Sequence, residues 1–284
     1  MDTVALVDRY PDSDERVIAD QIVRSVGGPA AVASIALARL GISVAIVGTV
    51  GDDDDGWSAL EQLKREGVET SGVSISNEAT SGSVIVVSKS QNTRAISTRQ
   101  PVKQTEPNQA AKNLVTRADW VHVDHVRINR LQSLGVTRGA KAKISFDAGY
   151  GVKDFDPSKV YLFVPNDRQM KDRYPNLEIA DAIKKDSEIG SNIVVATMGS
   201  KGSIGYSKES GLVEAAPIKT EILSTLGAGD VFHGALVAQM IEGLPLKEAI
   251  YRANVVAAIS CRGLDGKSAI PTKSELETFL KGAK

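Results

Sequence analysis

One cysteine in 284 residues, Cys261, excludes an internal disulfide and any cysteine-cluster metal site. It sits in the apolar run Val255-Val256-Ala257-Ala258-Ile259-Ser260-Cys261, the setting of a buried structural thiol rather than a reactive one. Charge of one sign is equally scarce, with 34 basic side chains against 35 acidic ones and a net charge of −1. Without a basic field or an acidic tail, the chain gives no reason to expect a nucleic-acid partner or a highly charged one. No apolar stretch has the length to span a bilayer, and the N-terminus carries no signal-peptide pattern. The expectation is therefore a cytoplasmic chain with no membrane partner. The Walker phosphate signature Gly-x-x-x-x-Gly-Lys-Ser/Thr is absent, as are internal repeats and low-complexity linkers. What is present is a chain that is 42% apolar, long enough for one large α/β domain with a small appendage.

The most informative stretch is Ser224-Thr225-Leu226-Gly227-Ala228-Gly229-Asp230-Val231-Phe232-His233-Gly234-Ala235. Three tiny residues and an acid open an apolar helix that runs to about Ile241. Gly227 and Gly229 permit backbone conformations that a β-carbon hinders, and they let a ligand approach the main chain closely. The leading N–H groups of the helix point out of the turn with the positive end of its dipole behind them, which suits a phosphoryl group in transfer. A carboxylate beside a phosphate site is repulsive unless it works there. Asp230 has the position of a general base that deprotonates an attacking hydroxyl, the alternative being a plain helix cap. His233, one turn further along an apolar helix, reads as a packed, hydrogen-bonded side chain.

Gly-Ala-Gly-Asp followed by a small-residue-rich helix, near the end of a chain of this length, resembles the ribokinase-like (pfkB) carbohydrate kinases. In that family the glycine turn, here Gly227, Ala228 and Gly229, is the anion hole and its acid, here Asp230, the catalytic base. Gly27-Gly28-Pro29 opening an alanine-rich helix resembles the signature at which the family's main chain approaches the sugar. Asp2, upstream of Tyr10-Pro11, matches the acid that grips sugar hydroxyls. Thr197-Met198-Gly199-Ser200-Lys201-Gly202 resembles the nucleotide loop, and Asn254 and Gly263 correspond to residues that border adenine. Asn166, in Pro165-Asn166-Asp167-Arg168-Gln169, aligns with an Asn-x-x-Glu motif whose last residue helps hold magnesium through water. Arg94 and Arg127 are candidates for the substrate, along with Asp124 and His125, because lid turns and strand ends converge on the cleft of such sheets. Arg127 suits an anionic or multiply hydroxylated sugar; for these side chains, surface solvation or a helix ion pair is the alternative.

The resemblance implies an α/β ribokinase-like fold: a mostly parallel sheet flanked by helices on both faces, with a small antiparallel β lid. Residues 27–78 and 102–284 would form the core, and residues 2–26 and 79–101 the lid. Strand patterns at residues 3–8, 16–26, 84–88 and 94–98 supply the lid, while those at 120–124, 144–147, 161–165 and 192–198 alternate with helices. The acidic run Asp52-Asp53-Asp54-Asp55 is not a calcium loop, since Gly51 and Gln62 stand where such a loop needs acids. Expected ligands are ATP with Mg²⁺ and a small sugar, and the expected assembly is a homodimer through the lid. The glycine-turn and Gly-Gly-Pro segments look most like the ketohexokinase and sulfofructose kinase branches. Transfer would go to a primary hydroxyl; a non-catalytic kinase-like binding protein and a nucleoside kinase are the alternatives.

Three departures accompany the match. Gln169 replaces the glutamate, so no direct metal ligand is assigned and the ion is expected to travel with the nucleotide. Ser224 and Leu226 replace an acid and a threonine that help bind a monovalent cation in some members, so K⁺ dependence is left open. Only Met1 precedes Asp2 where the family has a complete strand; the expectation is a truncated start, the alternative being a protein that lacks this central strand.

Overall fold

The computed structural model describes residues 1–99, 102, 103, 105–124, 131, 134, 136, 141–147, 149 and 155–282. The chain divides into two compact units, one of Met1–Asn108, Thr220–Val231 and Ala257–Lys284, the other of Gln109–Lys219 and Phe232–Val256. No helix among the described residues is long and apolar enough to cross a membrane.

The first unit opens with β1 (Asp2–Val7) and β2 (Ala19–Ser25), followed by α1 (Pro29–Arg39), β3 (Ala45–Gly51), α2 (Asp54–Arg65), β4 (Glu69–Ser76), β5 (Ser83–Ser88) and β6 (Thr93–Thr98). Helix α1 is built from small and branched apolar residues and is buried from Ala31 to Leu37, with Pro29 in its favoured first turn. The acidic run caps α2: Asp53 accepts from Gly56 N at 2.8 Å and from Thr80 N at 2.8 Å. Strands β3 and β4 form a parallel pair. The strand at Glu69–Ser76, thin in apolar residues, has no expectation from the sequence.

The remaining strands form a four-stranded sheet in the order β2-β1-β5-β6. Its β1–β2 and β5–β6 pairs are antiparallel, but β1–β5 is parallel, so the patch is mixed rather than wholly antiparallel as expected. A parallel pair needs a crossover connection, which the α1–β4 segment supplies. One face of this sheet carries Val4, Leu6, Ile85 and Val87, buried together with Leu264 and flanked by Val23 and Leu226.

The second unit holds α3 (Gln109–Arg117), β7 (Trp120–Val123), β8 (Lys143–Asp147), β9 (Leu162–Val164), α4 (Asp167–Arg173), α5 (Ile179–Ile189), β10 (Ile193–Thr197), β11 (Ser203–Ser207) and β12 (Gly211–Ala215). They give a six-stranded sheet, β12-β11-β10-β9-β8-β7, parallel from β7 to β10 and antiparallel beyond. Its central strands are buried along their length, as parallel strands covered on both faces are. Phe146, Phe155 and Phe163 cluster beside them, with ring centroids 4.4, 5.2 and 6.1 Å apart. Helix α6 (Ala228–Ile241) starts in the first unit and continues in the second, α7 (Leu246–Ser260) lies mostly in the second, and α8 (Lys273–Gly282) in the first.

Candidate active site

Within the first unit, β2 hands over to α1 through Gly27 and Gly28. A β-carbon on Gly27 would collide with the Asp2 carboxylate, so the acid that opens β1 lies directly against this glycine. Gly28 adopts φ 97°, and no heavy atom comes within 4 Å of where its side chain would begin, so its main chain is open on that side. Burial pushes the Asp2 carboxyl up from its ordinary value, with the N-terminal ammonium and the Ser83 hydroxyl pulling it back. A partly desolvated carboxylate beside open glycine backbone is an acceptor suited to hydroxyl groups.

The approach to the glycine turn is held from several sides. Leu223 N and Ser224 N donate to Cys261 O at 2.9 and 3.1 Å, and the buried Ser224 accepts from Leu226 N at 3.2 Å. Gly227, at φ 71°, packs against Gly266, at φ 75°, so closely that a β-carbon on Gly266 would stand 2.9 Å from Leu226 O. The loop carrying Gly266 is fixed by Asp265, which accepts from Ser268 N at 2.8 Å. Burial alone would raise the Asp265 carboxyl, but bonds from Ser268 and Ser25 bring it below the usual range. Gly229 has nothing within 4 Å of a would-be β-carbon and is open. Helix α6 begins at Ala228, and its first full helical bond runs from Val231 N to Gly227 O at 2.9 Å. Ala228 N donates to Thr225 O at 3.4 Å; the leading N–H groups of a helix find no acceptor inside the helix itself, and half-buried Asp230 occupies the same first turn. Arg94, on β6, donates from Nη1 to Thr225 Oγ1 at 2.7 Å. Arg127 and His125 lie outside the described residues.

In the second unit, Asn166 and Gln169 form a reciprocal cap on α4. Asn166 Oδ1 accepts from Gln169 N at 2.9 Å, and Gln169 Oε1 accepts from Asn166 N at 2.7 Å. The Gln169 oxygen is thus engaged by backbone, and its Nε2, a donor, is buried without a hydrogen-bond partner among the described residues. Asn166 bridges to Thr197, whose N–H donates to Pro165 O at 3.0 Å, so these two candidates stand side by side. The Thr197–Gly202 loop closes through Met198 N to Gly202 O at 2.8 Å. Gly199, at φ 55°, is open, whereas a β-carbon on Gly202 would strike Ala215 O. Asn254 is engaged internally, accepting from Ser203 Oγ at 3.0 Å and donating to Ala215 O and Ala216 O at 3.3 and 3.2 Å. Gly263, in the first unit, is needed for packing, since a β-carbon there would meet Ser268 Oγ at 2.5 Å.

Sequence reading missed a buried polar cluster in the second unit. His233 Nδ1 lies 2.9 Å from Asp147 Oδ2, and its Nε2 lies 3.2 Å from Val164 O. His122 Nδ1 is 2.6 Å from Ser145 Oγ, and its ring centroid is 5.8 Å from that of His233. Burial would raise the Asp147 carboxyl, yet the charge of His233 and the bond to it hold it well below the carboxylate range. The only signal for Asp147 was an acid at a strand's C-terminal end, and nothing local tied it to His233.

Comparison with known proteins shows the family. A ribokinase of Lactococcus lactis is 27% identical over 298 residues, covering 99% of this chain and 94% of that protein. An ATP-dependent ribose-1-phosphate kinase of Halopiger xanaduensis is 26% identical over 289 residues, covering 98% and 94%. The solved ribokinase of Arabidopsis thaliana, complexed with ribose and ATP, superposes with a TM-score of 0.83 at 22% identity, covering 99% of this chain and 95% of that one. The pattern of the pfkB family matches residues 1–273, and the chain therefore belongs to the pfkB family of carbohydrate kinases.

Proposed function

We propose that this kinase uses ATP and Mg²⁺ to phosphorylate a primary hydroxyl of a small sugar, with Asp230 as the base. The observation that carries this reading is the open Gly229 in a turn whose next residue is a half-buried acid in the first turn of α6. Asp230 accepts the proton of the sugar hydroxyl while that oxygen bonds to the γ-phosphorus and the bond to the β-phosphate oxygen breaks. The amides of Gly227, Ala228 and Gly229 face the negative charge that spreads over the transferring group, where preorganised donors act without reorganisation. Asp2, Gly27 and Gly28 orient the sugar. Asn166, Thr197, Gly199 and Gly202 hold the nucleotide, Asn254 supports the loop above Gly202, and Gly263 shapes the adenine side. When bound, Mg²⁺ neutralises phosphate charge. It travels with the nucleotide, because Gln169 supplies no negative charge and its oxygen already accepts from Asn166 N. Ribose, ribose 1-phosphate and fructose, the sugars named for relatives, each carry a primary hydroxyl, which supports this acceptor.

The lid of residues 2–26 and 79–101 also pairs two copies of the chain, through the sheet face opposite Val4 and Leu6. Alternation along the strands leaves Ile22 65% and Val84 58% exposed there.

The deciding experiment measures ATP-dependent phosphorylation across pentoses, ketohexoses and nucleosides for the parent and Asp230→Asn. The substitution is expected to lower kcat by roughly 10²–10⁴ while leaving ATP binding by calorimetry intact. An Asp230→Asn variant as fast as the parent refutes the mechanism.

A further inference from the structure

We infer that Arg94 is a positioning residue that latches the lid sheet onto the catalytic turn through Thr225, an inference that rests on the kinase reading above. Arg94 pairs with Val87 across the β5–β6 ladder, so register places it on the face of the sheet that carries Val4, Leu6, Ile85 and Val87. Its guanidinium donates to Thr225 Oγ1, and no carboxylate pairs with it among the described residues. The next residue, Leu226, packs against the cluster that this apolar face forms with Leu264. Leu223 and Ser224, just before, are tied to the Cys261 carbonyl. Arg94 also lies near enough to Cys261 for its charge to act on the thiol, which burial pushes up and Arg94 draws back.

Residues 223–226 are thus gripped by the Cys261 carbonyl on one side and by the lid, through one polar and one apolar contact, on the other. Gly227 follows at once with φ 71°, so a shift at Thr225 is passed directly into the amides of the anion hole. The Arg94 hydrogen bond is exposed and adds little to global stability, so its effect belongs to the geometry of the turn. A displacement of about 1 Å in such a site costs on the order of 10²-fold in rate.

The test is a double-mutant cycle with Arg94→Ala and Thr225→Val, read by kcat, by KM for the sugar, and by hydrogen exchange of the 223–229 amides. Each single change is expected to lower kcat roughly tenfold with KM little altered, and the pair together to lose no more than the worse single. Amides 223–229 should exchange faster in both variants while the melting temperature stays near that of the parent. Additive losses in kcat overturn the latch, as does a rise in KM confined to Arg94→Ala, which would put the guanidinium on the sugar instead. Hydrogen exchange separates this inference from the kinase reading. If the parent transfers no phosphoryl group, exchange at 223–229 that is unchanged in both variants still refutes the latch, and faster exchange still supports it.

Discussion

Lowering the pH from 7 to 5 should destabilise the chain through His122, and the size of the loss follows from where that ring is held. His122 lies on β7 with Nδ1 beside Ser145 Oγ, and its Nε2 is buried without a hydrogen-bond partner among the described residues. Burial first, and then the positive charge of His233, push its pKa from 6.5 down to about 4, with the Asp147 carboxylate opposing them. The folded state therefore excludes a proton that the unfolded chain accepts. This contribution is constant above pH 6.5, is lost progressively as the pH falls towards 4, and levels off below. At pH 5 the unfolded imidazole is about 1.5 units below its pKa, which corresponds to about 2 kcal/mol. Asp147 does not blur the window, because a depressed carboxylate begins to lose its contribution only below the ordinary carboxylate pKa. Urea unfolding at pH 7 and pH 5, for the parent and for His122→Gln, reads the effect, since groups that do not interact with His122 cancel in the difference. The parent should lose about 2 kcal/mol more than the variant between the two conditions. Equal losses would show that the ring takes up its proton in the folded state, and the assignment of a neutral buried His122 would be wrong.

Two further outcomes test other parts of the structure. In Gln169→Glu, one carboxylate oxygen can keep the cap on Asn166 N while the other replaces the buried Nε2 donor. The Mg²⁺ concentration for half-maximal activity should fall several-fold, and an unchanged requirement would count against Asn166 and Gln169 lying near the ion. The parent should sediment as a dimer and Ile22→Glu as a monomer with unaltered helix content; a monomeric parent across micromolar concentrations removes the lid-pairing proposal.

Backbone chemistry was the most legible layer of the sequence. Gly227, Gly28 and Gly199 announce themselves because positive φ is open to glycine at little cost, and each adopts it. Helix α1 was equally plain, from Pro29 at its start to small residues all round. Partners distant in sequence were not legible. The crowding of Gly27 by Asp2, the bond from Arg94 to Thr225 across 131 residues, and the meeting of His233 with Asp147 arise from chain paths that no local pattern encodes. Strand direction failed for the same reason. β1 and β5 each look like hairpin strands, and only the intervening crossover makes them parallel. Glu69–Ser76 was silent because its serines, threonine and glycine dilute the alternation that marks a strand.

The departures from the family pattern acquire a common physical meaning once their contacts are known. At Ser224, Leu226 and Gln169 the resemblance implies groups that help hold ions, and here each side chain is engaged internally. Ser224 accepts from Leu226 N, Leu226 joins the apolar face of the lid sheet, and Gln169 accepts from Asn166 N. An ion-ordered turn gains its shape only when the ion binds, whereas bonds and packing of this kind are made when the chain folds. The same contacts bring a new dependence. With Leu226 packed against the cluster of Val4, Leu6, Ile85, Val87 and Leu264, the order of the proposed anion hole is tied to the lid sheet. Substitutions on the inner face of β5 or β6 should therefore be felt at Gly227 before they are felt by the sugar.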